Sequence, residues 1–293
     1  MVVTGANSGV GFETALALAG KGAHVVLACR NQEKGQAALE RIHDIVPAAS
    51  VALGALDLAD LASVRAFAEA LHGDHPKLDV LVNNAGIMAP PLRHTADGFE
   101  LQFGTNHFGH FALTGLVLDL LHAEGSGRLV TVSSYVHHGA TMRFDDLDAE
   151  RSYRRWPVYL RTKLANLLFA FELDRRLRAS ALDVISVASH PGYATTHLQA
   201  AGTEMGGFFV QDWILKVTGP FAQSARQAAL PSLYAATAPD VQGGEFYGPN
   251  GWFGIAGHPK KVKASRAARN VETARQLWEI SVERTGVDFA ALA

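Results

Sequence analysis

The chain has 293 residues, 48% of them hydrophobic and 18% charged, and a formal net charge of -2. This length and apolar content suit one large α/β domain or two small ones, and the charge balance argues against nucleic acid as a partner, which calls for a basic excess. One cysteine, Cys29, cannot form an internal disulfide, so a reducing compartment and a soluble, cytoplasmic protein are the expectation. No basic segment followed by an apolar core opens the chain. The longest apolar stretch, Phe111 to Leu121, contains Asp119 and is too short to span a bilayer.

In chain order, MVVTGANSGVG comes first, with Gly5, Gly9 and Gly11 behind only four residues of strand. A strand ending in a tight glycine turn that opens a helix gathers bare N–H groups and the helix's positive end at one point, which suits a pyrophosphate. The spacing alone leaves a plain glycine-rich loop open as the other reading. Strands average about 5–6 residues, so the first strand reads as short. The expectation is that it continues upstream of Met1, with the start assigned late or the chain trimmed.

A helical pattern follows from Val10 and stops at Gly22. Short apolar runs then start at Ala23, Ser50, Leu78, Gly127, Leu182 and Gly244. Most are continuously apolar, as expected of strands buried on both faces in a parallel sheet. Helical patterns lie between them, two opening on the N-caps Asn31 and Asp60, two longer ones covering roughly 98–124 and 158–179. The predicted fold is α/β, a doubly wound parallel sheet with helices on both faces, in one domain over 1–293. Residues 193–223 have no clean period, carry Tyr193, Phe208, Phe209 and Trp213, and read as a substrate loop. A final amphipathic helix starts at Val271, behind the basic stretch HPKKVKASRAAR, which reads as solvated surface.

The second strand ends LACRN, so Cys29 stands where NAD-binding folds place an acid for the ribose 2′-OH, and Arg30 follows. A guanidinium can hold a 2′-phosphate that a carboxylate would repel, which favours NADP(H) over NAD(H). The other reading is that Arg30 simply ends a strand at the surface. Tyr159 and Lys163 sit four apart on one helix face. A cation near a phenol lowers a pKa of ~10 by roughly 1–3 units, making it an acid/base usable near neutrality. Ser133 and Ser134, Asn83–Gly86 and Ser189–Gly192 end strands at the carboxyl edge, where open α/β sheets bind ligands. No zinc-like spacing involves His107, His110, His137 or His138, so no metal is expected. The elbow that a Ser134/His190 hydrolase needs is absent.

The TGxxxGxG turn, Asp57, NNAG, Asn106, Ser134, Tyr159, Lys163 and PGxxxT (Pro191, Gly192, Thr196) come in the order and spacing of the short-chain dehydrogenase/reductases, which the whole chain resembles. ACRN, NHFGHFALT and VSSYVHH are similar to the retinol-dehydrogenase-like branch. Related protochlorophyllide reductases carry a cysteine just past the lysine. Here that stretch reads KLANLL, and their activity is set aside.

The resemblance implies a single-domain Rossmann fold and a nicotinamide-dependent carbonyl/alcohol oxidoreductase, for which Arg30 favours NADP(H), and Tyr193, Phe208, Phe209 and Trp213 suggest a hydrophobic small-molecule substrate. It makes Tyr159 the acid/base, Lys163 the holder of the nicotinamide ribose and depressor of the tyrosine pKa, Ser134 the orienter of the substrate oxygen (Ser133 the alternative), and Asn106 the anchor of a relay water. The implied cofactor contacts are Gly5, Ser8, Gly9, Val10 and Gly11 in the turn, with Arg30, Asp57 and Leu58. Asn84, Ala85 and Gly86, together with Tyr159 and Lys163, continue them, and Pro191, Gly192 and Thr196 complete them. Thr196 would meet the carboxamide and Asp57 the adenine. Pairing into homodimers or homotetramers would use the helices around 111–121 and 164–177. The alternative function is a non-catalytic NADP(H)-binding redox sensor or scaffold on the same fold.

Overall fold

The apolar runs form one eight-stranded sheet in the computed structural model, which describes residues 1–193, 223–251 and 254–292. Its strands are β1 (Val2–Thr4), β2 (Val25–Cys29), β3 (Val51–Ala55), β4 (Val80–Asn83), β5 (Gly127–Val132), β6 (Val184–Ser189), β7 (Phe246–Pro249) and β8 (Pro259–Lys261). The order is β3-β2-β1-β4-β5-β6-β7-β8, parallel except for the antiparallel pair β7–β8. The chain leaves β1 toward one edge and returns to the other side at β4, so the topological switch point lies between these two strands. β8 was not anticipated: it lies inside the basic stretch read as solvated surface.

β1 is three residues long, and Val2–Thr4 pair in register with Val26–Ala28 on one side while Val2 and Val3 pair with Leu81 and Val82 on the other. The Met1 ammonium donates to His24 O at 2.8 Å and Met1 O accepts from Val26 N at 2.9 Å.

Successive strand residues point to opposite faces, and the core divides accordingly. Val2, Leu81, Leu129 and Val184 pack with the helices α3 (Leu61–Asp74), α4 (residues 101–116), α5 (Leu118–His122), α6 (Arg155–Ala179) and α8 (Val271–Thr285). Val3, Leu27, Val82, Val130 and Val187 pack with α1 (Gly9–Ala19), α2 (Gln32–Ile45) and α7 (Ala225–Thr237). Asn31 and Asp60 cap as expected, accepting the N–H of Lys34 at 2.8 Å and of Ala62 at 2.9 Å. α1 ends at Ala19 rather than Gly22, which sits past the helix with φ +87°.

The pattern read as one helix over 98–124 is broken. α4 comprises Leu101–Phe103, a π-helical turn Gly104–Phe108 and Gly109–Leu116, and Val117 at φ -120° separates it from α5. Gly109 lets α4 lie on the chain after β3: a Cβ there would stand 2.3 Å from Leu58 O. α8 ends on Gly286 in the left-handed conformation, which turns the tail back onto α4. Phe289, 1% exposed, sits 4.8 Å from the Phe111 ring and 4.5 Å from Trp278, with Phe169 completing the group. Gly115 leaves the slot, since a Cβ there would meet Val287 at 2.5 Å. Phe111 of α4 and Phe169 of α6 are thus covered by α8 and the tail of the same chain. Phe289→Ala is expected to cost about 3–5 kcal/mol in chemical denaturation, the range for an aromatic removed from a packed core; a loss below about 1 kcal/mol would show the tail to be loosely docked.

Candidate active site

At the carboxyl edge the switch point opens into a groove of about 590 Å³, lined by the glycine turn, the end of β2, Asp57 and Leu58, and the turn after β4. Gly5 and Gly9 have φ of +65° and +56°, a conformation glycine adopts without penalty. Gly11 is fixed by close approach: a Cβ there would stand 2.4 Å from both Asn84 Nδ2 and Gly5 O. Asn84 Nδ2 donates to Thr4 O at 2.8 Å, so the glycine turn and the NNAG turn are pinned together. Asp57 turns one oxygen to Ala59 N at 2.9 Å.

Gly5, Ser8, Gly9, Val10, Gly11, Arg30, Asp57, Leu58, Asn84, Ala85 and Gly86 all line this one groove. Pro191 and Gly192 lie beyond β6, with Gly192 at φ +72°; Thr196, Phe208, Phe209 and Trp213 fall outside the described residues. The groove also recruits Asn7, Lys34, Arg41, Ile87 and Thr105, which the sequence reading did not single out. Lys34, Ala38 and Arg41 had a signal, since their spacing puts them on one stripe of α2. Arg30 and Lys34 are exposed and Arg41 stacks over Phe12, 4.2 Å from the ring centre. Thr105 Oγ1 is buried and has no hydrogen-bond partner among the described residues. A dinucleotide fits these features: bare N–H groups at a helix start, a cationic end, and an unpartnered hydroxyl in the wall.

Ser133 and Ser134 diverge as adjacent strand-end residues must. Ser133 Oγ, buried, donates to Lys163 O at 2.7 Å, whereas Ser134 accepts from Val136 N and lies close enough to the Tyr159 hydroxyl to favour its ionised form. Burial pushes Tyr159 up to about 12, with Ser134 pulling the other way. The expected lowering by Lys163 is absent: its Nζ stands 5.8 Å from the Tyr159 ring centre and does not offset the loss of water. The same burial pulls Lys163 down to about 8. Its hydrogen bond is a long one, 3.4 Å to Val132 O, an acceptor shared with Asn166 Nδ2 at 3.0 Å.

Asn106 sits in the π-turn, where Oδ1 accepts from Ile87 N at 2.8 Å and Nδ2 donates to Ile87 O and Thr162 Oγ1. His190 accepts from Gly192 N at 3.2 Å and His137 donates to Ser134 O at 2.7 Å. No group of three or more His, Cys, Asp or Glu poised for a metal occurs among the described residues, and no helix there is long and apolar enough to cross a membrane. Cys29 is buried, its thiol raised to about 11.

A doubly wound sheet with a phosphate-type turn at its switch point and a Ser–Tyr–Lys group beside it defines a dinucleotide-dependent oxidoreductase. The chain belongs to the short-chain dehydrogenase family, whose model matches residues 1–206, and which interconverts alcohols and carbonyl compounds with NAD(P)(H). It is 38% identical to retinol dehydrogenase 12 of Homo sapiens over 289 residues, 98% of this chain and 86% of that protein. A crystal structure of an uncharacterised protein from Mycobacterium paratuberculosis matches with 42% identity and a TM-score of 0.79, over 98% of this chain and 93% of that one. A structure from Beutenbergia cavernae, described as an NAD(P)-dependent gluconate 5-dehydrogenase with bound NADP, matches with 25% identity and a TM-score of 0.63, over 84% of this chain and 92% of that one.

A buried ammonium with one long hydrogen bond is destabilising. Lys163→Met is therefore expected to raise the melting temperature in thermal denaturation; a lower one would mean that Nζ is better satisfied than its 3.4 Å bond indicates.

Proposed function

We propose that the protein is an NADPH-dependent reductase of hydrophobic aldehydes or ketones, with Tyr159 as the proton donor. The observation that carries this reading is the buried Tyr159 with the Lys163 ammonium 5.8 Å from its ring, one helix turn apart at the carboxyl edge where β5 leads into Ser133 and Ser134. With Tyr159 held protonated to about pH 12 and Lys163 charged below about 8, the neutral-pH site presents an O–H beside a cation. That is the state needed to protonate an oxygen as negative charge develops on it. A reduced nicotinamide held in the groove would supply the hydride. Ser134 orients the substrate oxygen toward Tyr159, and Lys163 stabilises the charge left when the proton moves. Gly5, Ser8, Gly9, Val10 and Gly11 would hold the pyrophosphate on their backbone, and Asn84–Gly86 the ribose side. Arg30, with Lys34 one turn away on α2, would grip a 2′-phosphate; the NADP in the Beutenbergia cavernae structure supports this choice. The similarity to retinol dehydrogenase 12 supports an apolar substrate.

The test is NADPH oxidation over a panel of hydrophobic aldehydes and ketones. Tyr159→Phe is expected to lower kcat/KM by about 10²–10⁴-fold, the usual worth of a positioned acid. Largely retained turnover would overturn the mechanism, and tight NADPH binding without turnover by the wild type would fit a sensor instead. For the cofactor, Arg30→Asp is expected to weaken NADPH binding by about tenfold or more, the scale of one charged hydrogen-bonded contact, while sparing NADH. An unchanged NADPH/NADH ratio would remove Arg30 from the argument.

The pH profile follows from the sign of the Lys163 shift. Its charge is present below about 8 and lost above, so kcat/KM for reduction is expected to be level near neutrality and to fall above about pH 8. Lys163→Arg should move that fall to higher pH, because a guanidinium keeps its charge.

A further inference from the structure

Two backbone donors converge on Thr4 at the end of β1. Its Oγ1 accepts from Asn84 N and Ala85 N, each at 2.9 Å, the former shared with Val82 O. These fill both lone pairs of the hydroxyl, so its single proton needs an acceptor. Two are in reach, His110 Nε2 at 2.9 Å and Val82 O at 3.3 Å. On its far side the His110 ring lies 3.2 Å from Asn106 O. A carbonyl only accepts, so Nδ1 carries a hydrogen. A neutral imidazole has one N–H, which leaves Nε2 as an acceptor aimed at Thr4. His110 is 2% exposed, and burial together with the Lys163 charge keeps it neutral down to about pH 4. The neighbouring imidazole of His107 is likewise neutral, pulled by burial to about 3.

We infer that His110 is a positioning residue for the oxidoreductase site: as the Nδ1–H tautomer it ties the π-turn that carries Asn106 to the turn that floors the groove, and fixes the direction of the Thr4 hydroxyl. An imidazolium, or the other tautomer, would aim a hydrogen at an oxygen whose lone pairs are full, and the bond to Asn84 or Ala85 would be lost. The effect reaches the neighbouring residue. A Cβ on Gly86 would lie 3.1 Å from Asn106 Oδ1 and 3.5 Å from Lys163 Nζ, so this turn packs directly against both candidate site residues. His110 needs no contact with substrate or cofactor for this.

The inference rests on the proposed use of the groove for NADPH only in its binding readout. The first measurement is the two-bond ¹H–¹⁵N correlation spectrum of the wild-type imidazoles. His110 is identified by its absence from the spectrum of His110→Phe or, should that variant not fold, of His110→Gln. The expected result is an Nδ1–H tautomer with no titration from about pH 5.5 to 8; an Nε2–H tautomer, or titration in that range, overturns the inference. The second is the NADPH Kd, from fluorescence, of His110→Phe, Thr4→Val and the double variant. Each single change is expected to raise Kd about five- to tenfold, the worth of one buried hydrogen bond, and the double no further than the larger single. Additive losses, or a lowered melting temperature with unchanged Kd, would make the role merely structural. If the wild type binds no NADPH, the cofactor reading fails while the tautomer still decides this inference.

Discussion

The approach of the first glycine turn to the turn after β4 is the constraint on which the site depends. A Cβ at Gly11 would lie 2.4 Å from Gly5 O and from Asn84 Nδ2, and the backbone oxygen cannot rotate away. Asn84 in turn holds Thr4 O. The two turns are therefore one unit, and the unit is placed by strand register: Val2 and Val3 face Leu81 and Val82 across the ladder. Because strand register sets this geometry, the groove is positioned by the sheet although loops line it.

Where one face or one cap decides the outcome, the sequence is legible. Most continuous apolar runs became buried parallel strands, the edge strand β3 staying half-buried, Asn31 and Asp60 became caps, and the tetrapeptide at 83–86 arrived beside Gly11. Apolar periodicity was blind where it does not change. The π-turn at Gly104–Phe108 is wholly buried, so one extra residue in the turn alters no pattern of polar and apolar positions. β8 escaped because an edge strand of Pro259–Lys261 has two basic residues and no apolar run. Four-residue spacing placed Tyr159 near Lys163 but carried no information on water. Desolvation, which spacing cannot express, turned the expected fall in the tyrosine pKa into a rise.

The covered faces of α4 and α6 show a similar limit. Phe111 and Phe169 read as members of the two long helices, while the C-terminal helix from Val271 carries no sign in the sequence of where it packs. Their union depends on two backbone details: the left-handed Gly286 that reverses the tail, and the missing side chain at Gly115 that admits it. Arg176 closes the group from outside, 4.3 Å over the Trp278 ring, while paired to the buried Glu172.

Tyr159 and Lys163 are displaced by one cause in opposite directions, because burial disfavours whichever form is charged. For the phenol that form is the base, for the amine it is the acid, so a dry site keeps Tyr159 protonated and loosens the proton of Lys163. In the proposed reduction the tyrosine thus carries its proton at neutral pH and gives it up only to an oxygen on which negative charge develops. The lysine, with one long bond to Val132 O and packed under Gly86, lacks the acceptors its ammonium requires. Thr105 Oγ1, unpartnered in the wall of the same groove, adds a second unsatisfied polar atom. A polar atom that the fold leaves unpaired in the wall of a groove is stability forgone, and it is recovered when a ligand supplies the missing partner.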